Sequence, residues 1–181
     1  MFFQGISSFF ANVNKDNQIL TDATARHRSE FLNGQEGKVW TLDIDAIDPV
    51  GAADKFFYIK NTGTVDIKIH SIRISSTVAG FVAVKKVSGT ASFTAGADVT
   101  PLSMRTNTSP VVQATIKTDT DTTGLTDEGV FDRISLDTAN REAFHTYDST
   151  IMIGAGGAVA LEWSAATGIL TGVIMITEND N

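Results

Sequence analysis

The residues best placed to do chemistry in this chain are a run of acids and three histidines. The acidic run, DTDTTGLTDE at residues 119–128, matches the opening of an EF-hand loop. It has Asp at the first and third positions, Gly at the sixth and Asp at the ninth. The twelfth position, where calcium takes a bidentate Glu, is Val130, the eighth is Thr126 rather than an apolar residue, and the flanks read as strands. A solvated acidic loop at the end of a sheet is the plainer reading, with a weak cation site as the alternative. His27, His70 and His145 show no His-x-His or His-x-x-x-His pairing, so zinc would require them to converge from a distance with a carboxylate. Acid–base catalysis by His145 would need Asp148 and Glu142 to meet it in a cleft. No Gly-x-Ser-x-Gly elbow and no cysteine is present, which removes the usual activated nucleophiles. The glycines of residues 154–157 lack the following helix, Lys and Ser/Thr of a phosphate cradle and read as a turn. Trp40 shares parity with Leu42 and Ile44, and Trp163 with Val159 and Leu161, so both tryptophans are expected in a core. Exposed aromatics for glycan contact would have to come from near Tyr58, Phe131 or Tyr147. No catalytic, cofactor or metal residue is assigned.

The elements that would position these residues are all strands. Residues 38–45 alternate apolar and polar, residues 55–60 (KFFYIK) are apolar on both parities and so central, and residues 61–64 read as a tight hairpin loop. Within residues 65–76, Val65, Ile67 and Ile69 are odd-numbered whereas Ile72 and Ile74 are even. A phase switch of that kind marks a bulge or a strand passing between sheets. Strands follow at 81–87, weakly around Phe93 and Val99, and at 111–117. A polar loop covers 104–110 and a long acidic, Thr-rich loop covers 118–129. The strand at 130–136 has Val130, Ile134 and Leu136 on one face, its regularity broken by Asp132. A turn at 138–142 leads through 143–147 to runs at 151–153, 158–164 and 169–177, the last two read as a closing hairpin around the Gly-containing loop 165–168. Nine or ten short strands without intervening helices predict an all-β antiparallel sandwich or barrel, of which the sandwich is the expectation.

Composition agrees. With 181 residues the chain is long enough for one domain with its own core. A formal charge of −7, with basic residues scattered apart from Lys85-Lys86 and Arg26-His27-Arg28, argues against nucleic acid as a partner. No apolar window reaches the roughly 20 residues of a membrane helix, and the N-terminus lacks a signal-peptide pattern. Residues 1–37 stand apart as an N-terminal arm ahead of a domain at 38–181. The arm concentrates Phe2, Phe3, Phe9 and Phe10, which pack either on their own domain as an edge strand or on a neighbouring subunit or partner.

Two stretches, FFYIKNTGTVDIKIHSIRI and IMIGAGGAVALEWSAATGILTGVIMITE, together resemble the small jelly-roll virion proteins of tailed bacteriophages, of the capsid decoration, cement or head-fibre base type. The resemblance covers about residues 38–177. It implies a jelly-roll β-sandwich, a homotrimer, sitting on the capsid exterior against the major capsid protein, assembled in the host cytoplasm, without catalytic residues or cofactors. On this reading the four phenylalanines, or loops at one end of the sandwich, carry the partner contact. The alternative is a receptor- or glycan-binding head domain of a phage fibre.

Overall fold

The computed structural model describes residues 38–106 and 111–179. The expected arm with Phe2, Phe3, Phe9 and Phe10, as well as His27 and its neighbouring arginines, lies outside the described residues. Eleven strands follow in chain order: β1 (Val39–Ile47), β2 (Asp54–Asn61), β3 (Asp66–Ser76), β4 (Gly80–Phe93), β5 (Ala97–Asp98), β6 (Leu102–Ser103), β7 (Ala114–Thr118), β8 (Thr122–Leu136), β9 (Glu142–Ile153), β10 (Ala158–Trp163) and β11 (Leu170–Asn179). Among the described residues there is no helix.

The strands form two antiparallel sheets packed as a sandwich, as the alternation predicts. One has the order β6-β1-β11-β3-β9 and the other β5-β7-β2-β10-β4-β8. The pairing is nested: β1 with β11, β2 with β10, β3 with β9 and β4 with β8. A chain laid out as one long hairpin and then rolled produces this order. Inward-facing residues of both sheets make one core, with Trp40, Phe56, Ile67, Ile72, Ile74, Val82, Val84, Ile134, Trp163, Leu170 and Ile176 all fully buried. Trp40 and Trp163 are therefore core residues. The phase switch in β3 is a bulge: His70 is the extra residue, because Ile69 and Ser71 pair with Ile176 and Met175 of β11, which are consecutive. That switch lets Ile67 and Ile69 before it, and Ile72 and Ile74 after it, all point inward.

Three local expectations are corrected. Residues 158–177 are not a hairpin, since β10 is central in one sheet and β11 in the other. The loop between them is an arch across the layers, tied by the Trp163 Nε1–H donating to the Thr167 carbonyl at 2.9 Å. A short Gly-containing loop serves either purpose, and periodicity does not distinguish them. Residues 61–64 are likewise an arch. It is held by Asn61, whose buried amide donates to the carbonyls of Val65 (2.7 Å) and Ile153 (2.8 Å) and accepts from the Gly63 N–H (2.9 Å). Third, most of the expected acidic loop at 118–129 is the start of β8, paired with β4 through three register irregularities. Its β-branched threonines suit a strand, and Asp127 and Glu128 pair with lysines of other strands.

Bulges add twist and bend a strand. Ala158 and Ala160, opposite in parity to the core residues Val159 and Leu161, form with Tyr58 and Val87 a second apolar cluster against which Ala91, Phe93 and Leu125 pack. Phe93 meets Tyr58 edge-on at 5.8 Å, and the Lys117 ammonium lies 5.3 Å from the Phe93 ring centre.

Candidate binding site at the open side of the sandwich

In nested pairing the two sheets each end in a long strand on the same side of the molecule, β8 in one and β9 in the other. Along β8, Ile134 and Leu136 point inward, and Asp132 shares their parity. Along β9, His145 and Tyr147 are half-buried. A carboxylate at an inward position is costly without hydrogen-bond partners, and both partners come from the other sheet. His145 Nδ1 lies 2.8 Å from Asp132 Oδ2, and the Tyr147 hydroxyl donates to the same oxygen at 2.8 Å. Asp132 Oδ1 accepts the backbone N–H of Arg133 at 2.7 Å. Burial pushes the Asp132 carboxyl upward, but these bonds outweigh it and hold it below its ordinary value. Burial, then the adjacent carboxylate, raises the Tyr147 phenol well above its ordinary value.

The three side chains sit in an open depression of about 500 Å³ whose other lining residues are Phe131, Thr146, Thr150 and Ile151. Phe131 is 46% exposed. The Thr150 hydroxyl is held by the Tyr147 carbonyl at 2.6 Å, while no described residue bonds His145 Nε2. The depression therefore sets a flat apolar ring beside a fixed set of acceptors and an imidazole nitrogen.

The remaining sequence candidates fall elsewhere. His145 pairs with Asp132; the expected Glu142 instead meets Arg73 Nε at 3.5 Å, and the Asp148 side chain lies outside the described residues. His70 is buried at the β3 bulge. Asp119 is spent on the backbone N–H groups of Thr94 (2.8 Å), Ala95 (2.9 Å) and Thr120 (2.8 Å). Asp127 reaches Lys85 (2.6 Å) and Lys55 (3.1 Å), so the EF-hand-like acids do not converge. Among the described residues no group of three or more His, Asp or Glu side chains is arranged to hold a metal. Lys85 pairs with Glu162 and Asp127, and Lys86 with Glu128, so this pair is not a free basic patch. The 154–157 turn uses its Gly156 and Gly157 N–H groups on Asn61 and Gly154 carbonyls. Tyr58, a candidate exposed aromatic, is buried.

Asp132 was the residue that sequence reasoning passed over, treating it only as an interruption of the strand. The signal lay in its parity: an acid in line with Ile134 and Leu136 requires polar partners from the facing layer. Comparison of the chain with protein-family models, with curated proteins and with solved structures finds no match.

Proposed function

We propose that this chain is a non-enzymatic virion structural protein, a jelly-roll capsid decoration or cement subunit that attaches to the exterior of a phage capsid. The nested pairing of four strand pairs supports the jelly-roll part of the reading, since it is the strand order that two Greek keys require. One observation carries the functional part. The described domain completes its own core from residues 39 to 176, with both tryptophans and the inward isoleucines sealed from solvent. On this reading Phe2, Phe3, Phe9 and Phe10, which precede that core in the sequence, carry the contact with the partner.

The partner on this reading is the major capsid protein. A homotrimer would present three such segments to a repeating lattice, so that individually weak contacts sum to firm attachment. Removal of residues 1–30 tests it. The truncated protein is expected to keep its β-sheet circular dichroism and to lose cosedimentation with capsids, while light scattering on the full chain gives the mass of a trimer. Undiminished cosedimentation of the truncated chain would move the contact to the loops and defeat the assignment to the four phenylalanines.

A further inference from the structure

We propose that the depression between β8 and β9 is a binding site for a neutral pyranose sugar, with Phe131 as its stacking face and Asp132, His145 and Tyr147 as its hydrogen-bonding floor. The inference is separate from capsid attachment, which is assigned to residues 1–37.

Three features lead to it. The first is the pairing of an apolar plane with polar groups. Phe131 stands 46% exposed on a β8 position beside the depression, where a flat ring has no packing role in the core. One face of a pyranose is a patch of C–H groups suited to an aromatic plane, and its rim is a row of hydroxyls that both donate and accept. The second is preorganisation. Asp132 is fixed by His145, Tyr147 and the Arg133 backbone, so its carboxylate, the phenol oxygen and the free His145 Nε2 are already placed before a ligand arrives. Groups held in place lose little entropy on binding. The third is size and charge. The depression, about 500 Å³, falls within the roughly 300–1,000 Å³ range of small-molecule sites. Asp132 sets a carboxylate in its floor, in a chain of net charge −7, and the Arg133 guanidinium of the same strand lies over the Phe81 ring at 5.6 Å. That disfavours acidic sugars. Because the depression is open, the affinity expected for a single sugar is weak, with a Kd on the order of millimolar, raised by multivalency when several copies face one surface.

The test is a titration of the ¹⁵N-labelled full chain with D-glucose, D-galactose, D-mannose and N-acetyl-D-glucosamine, with N-acetylneuraminic acid as the acidic counterpart. At least one neutral sugar is expected to give saturable shifts centred on residues 131, 145–147 and 150. Phe131→Ala, which removes an exposed ring and leaves the core untouched, is expected to weaken that binding about tenfold with the rest of the spectrum unchanged. Tyr147→Phe is expected to weaken it as well. No saturable shift with any neutral sugar, shifts centred elsewhere, binding of the acidic sugar alone, or binding indifferent to Phe131→Ala would each overturn the proposal. Capsid cosedimentation of Phe131→Ala reports on the attachment reading independently and is expected to be unchanged.

Discussion

Replacing Asp132 by Asn removes the charge that ties the edge of one sheet to the edge of the other. The carboxylate accepts from Tyr147 and His145 through Oδ2, both at 2.8 Å, and asparagine cannot present the same charged acceptor to both. Hydrogen bonds to a charged group contribute about 1.5–3 kcal/mol each. The Asp132 and His145 side chains are 29% and 36% exposed, so solvent screening reduces the pair to roughly 1.5–3 kcal/mol in total. At about 3 °C per kcal/mol for a chain of this size, the melting temperature falls by roughly 5–9 °C. The pH dependence has a definite sign on each side. The Asp132 carboxyl is held below its ordinary value, so its contribution is complete above about pH 4 and is lost as the pH falls through the lower folded value. The Tyr147 phenol is raised, so its contribution is complete below about pH 10 and is lost as the pH rises beyond that. The difference in stability between the two proteins should therefore form a plateau around neutrality and shrink towards both extremes. Urea denaturation followed by the fluorescence of the buried Trp40 and Trp163 measures it at each pH. A difference below about 0.5 kcal/mol at neutral pH, or one that ignores pH, would refute the role given to this carboxylate.

Three other substitutions probe how the fold holds that side in place. Asn61→Ala strips the three hydrogen bonds of a buried side chain from the β2–β3 arch and strands the Val65 and Ile153 carbonyls, so a loss of about 3 kcal/mol is expected in the same denaturation assay. Glu162→Gln leaves Lys55 and Lys85 sharing Asp127 alone. Burial raises the Asp127 carboxyl but the two lysines overcome it and hold it low, and the expected loss on removing their second acid is about 1–2 kcal/mol at neutral pH, reduced by added salt. Gly172→Ala places a methyl group on the Arg73 carbonyl oxygen of the adjacent strand, and a loss of about 3 kcal/mol or failure to accumulate as folded protein is expected.

Parity made the core legible before any coordinates. It placed Trp40, Trp163 and the inward isoleucines, and it marked either a bulge or a change of sheet within β3, of which the pairing with β11 shows the bulge. Parity carries no information about which layer a strand joins, so the arches after Asn61 and Trp163 read as hairpins. It also fails where one face of a strand is charged. The first half of β8 looks like a loop because Asp127 and Glu128 are balanced by Lys55, Lys85 and Lys86 on other strands, pairings that only the assembled sheet provides. The polar group at the open side was half visible. Asp132, His145 and Tyr147 lie within fifteen residues of one another, yet they belong to different sheets and meet only because nested pairing ends both sheets on one side.

That geometry also sets the start of β1 apart from the open side. Lys38 leads into β1, and β11 and β3 separate β1 from β9 within their sheet. Three strand spacings of about 4.8 Å make roughly 14 Å, beyond the roughly 7–10 Å within which substitutions commonly couple. Removing residues 1–30 should therefore abolish capsid attachment and leave sugar affinity within about twofold of the full chain. Phe131→Ala should do the reverse, and the combined variant should lose both without further destabilising the sandwich. If the truncation instead weakened or strengthened sugar binding severalfold, the first 37 residues would have to reach the open side, and a single surface, not two, would carry both contacts.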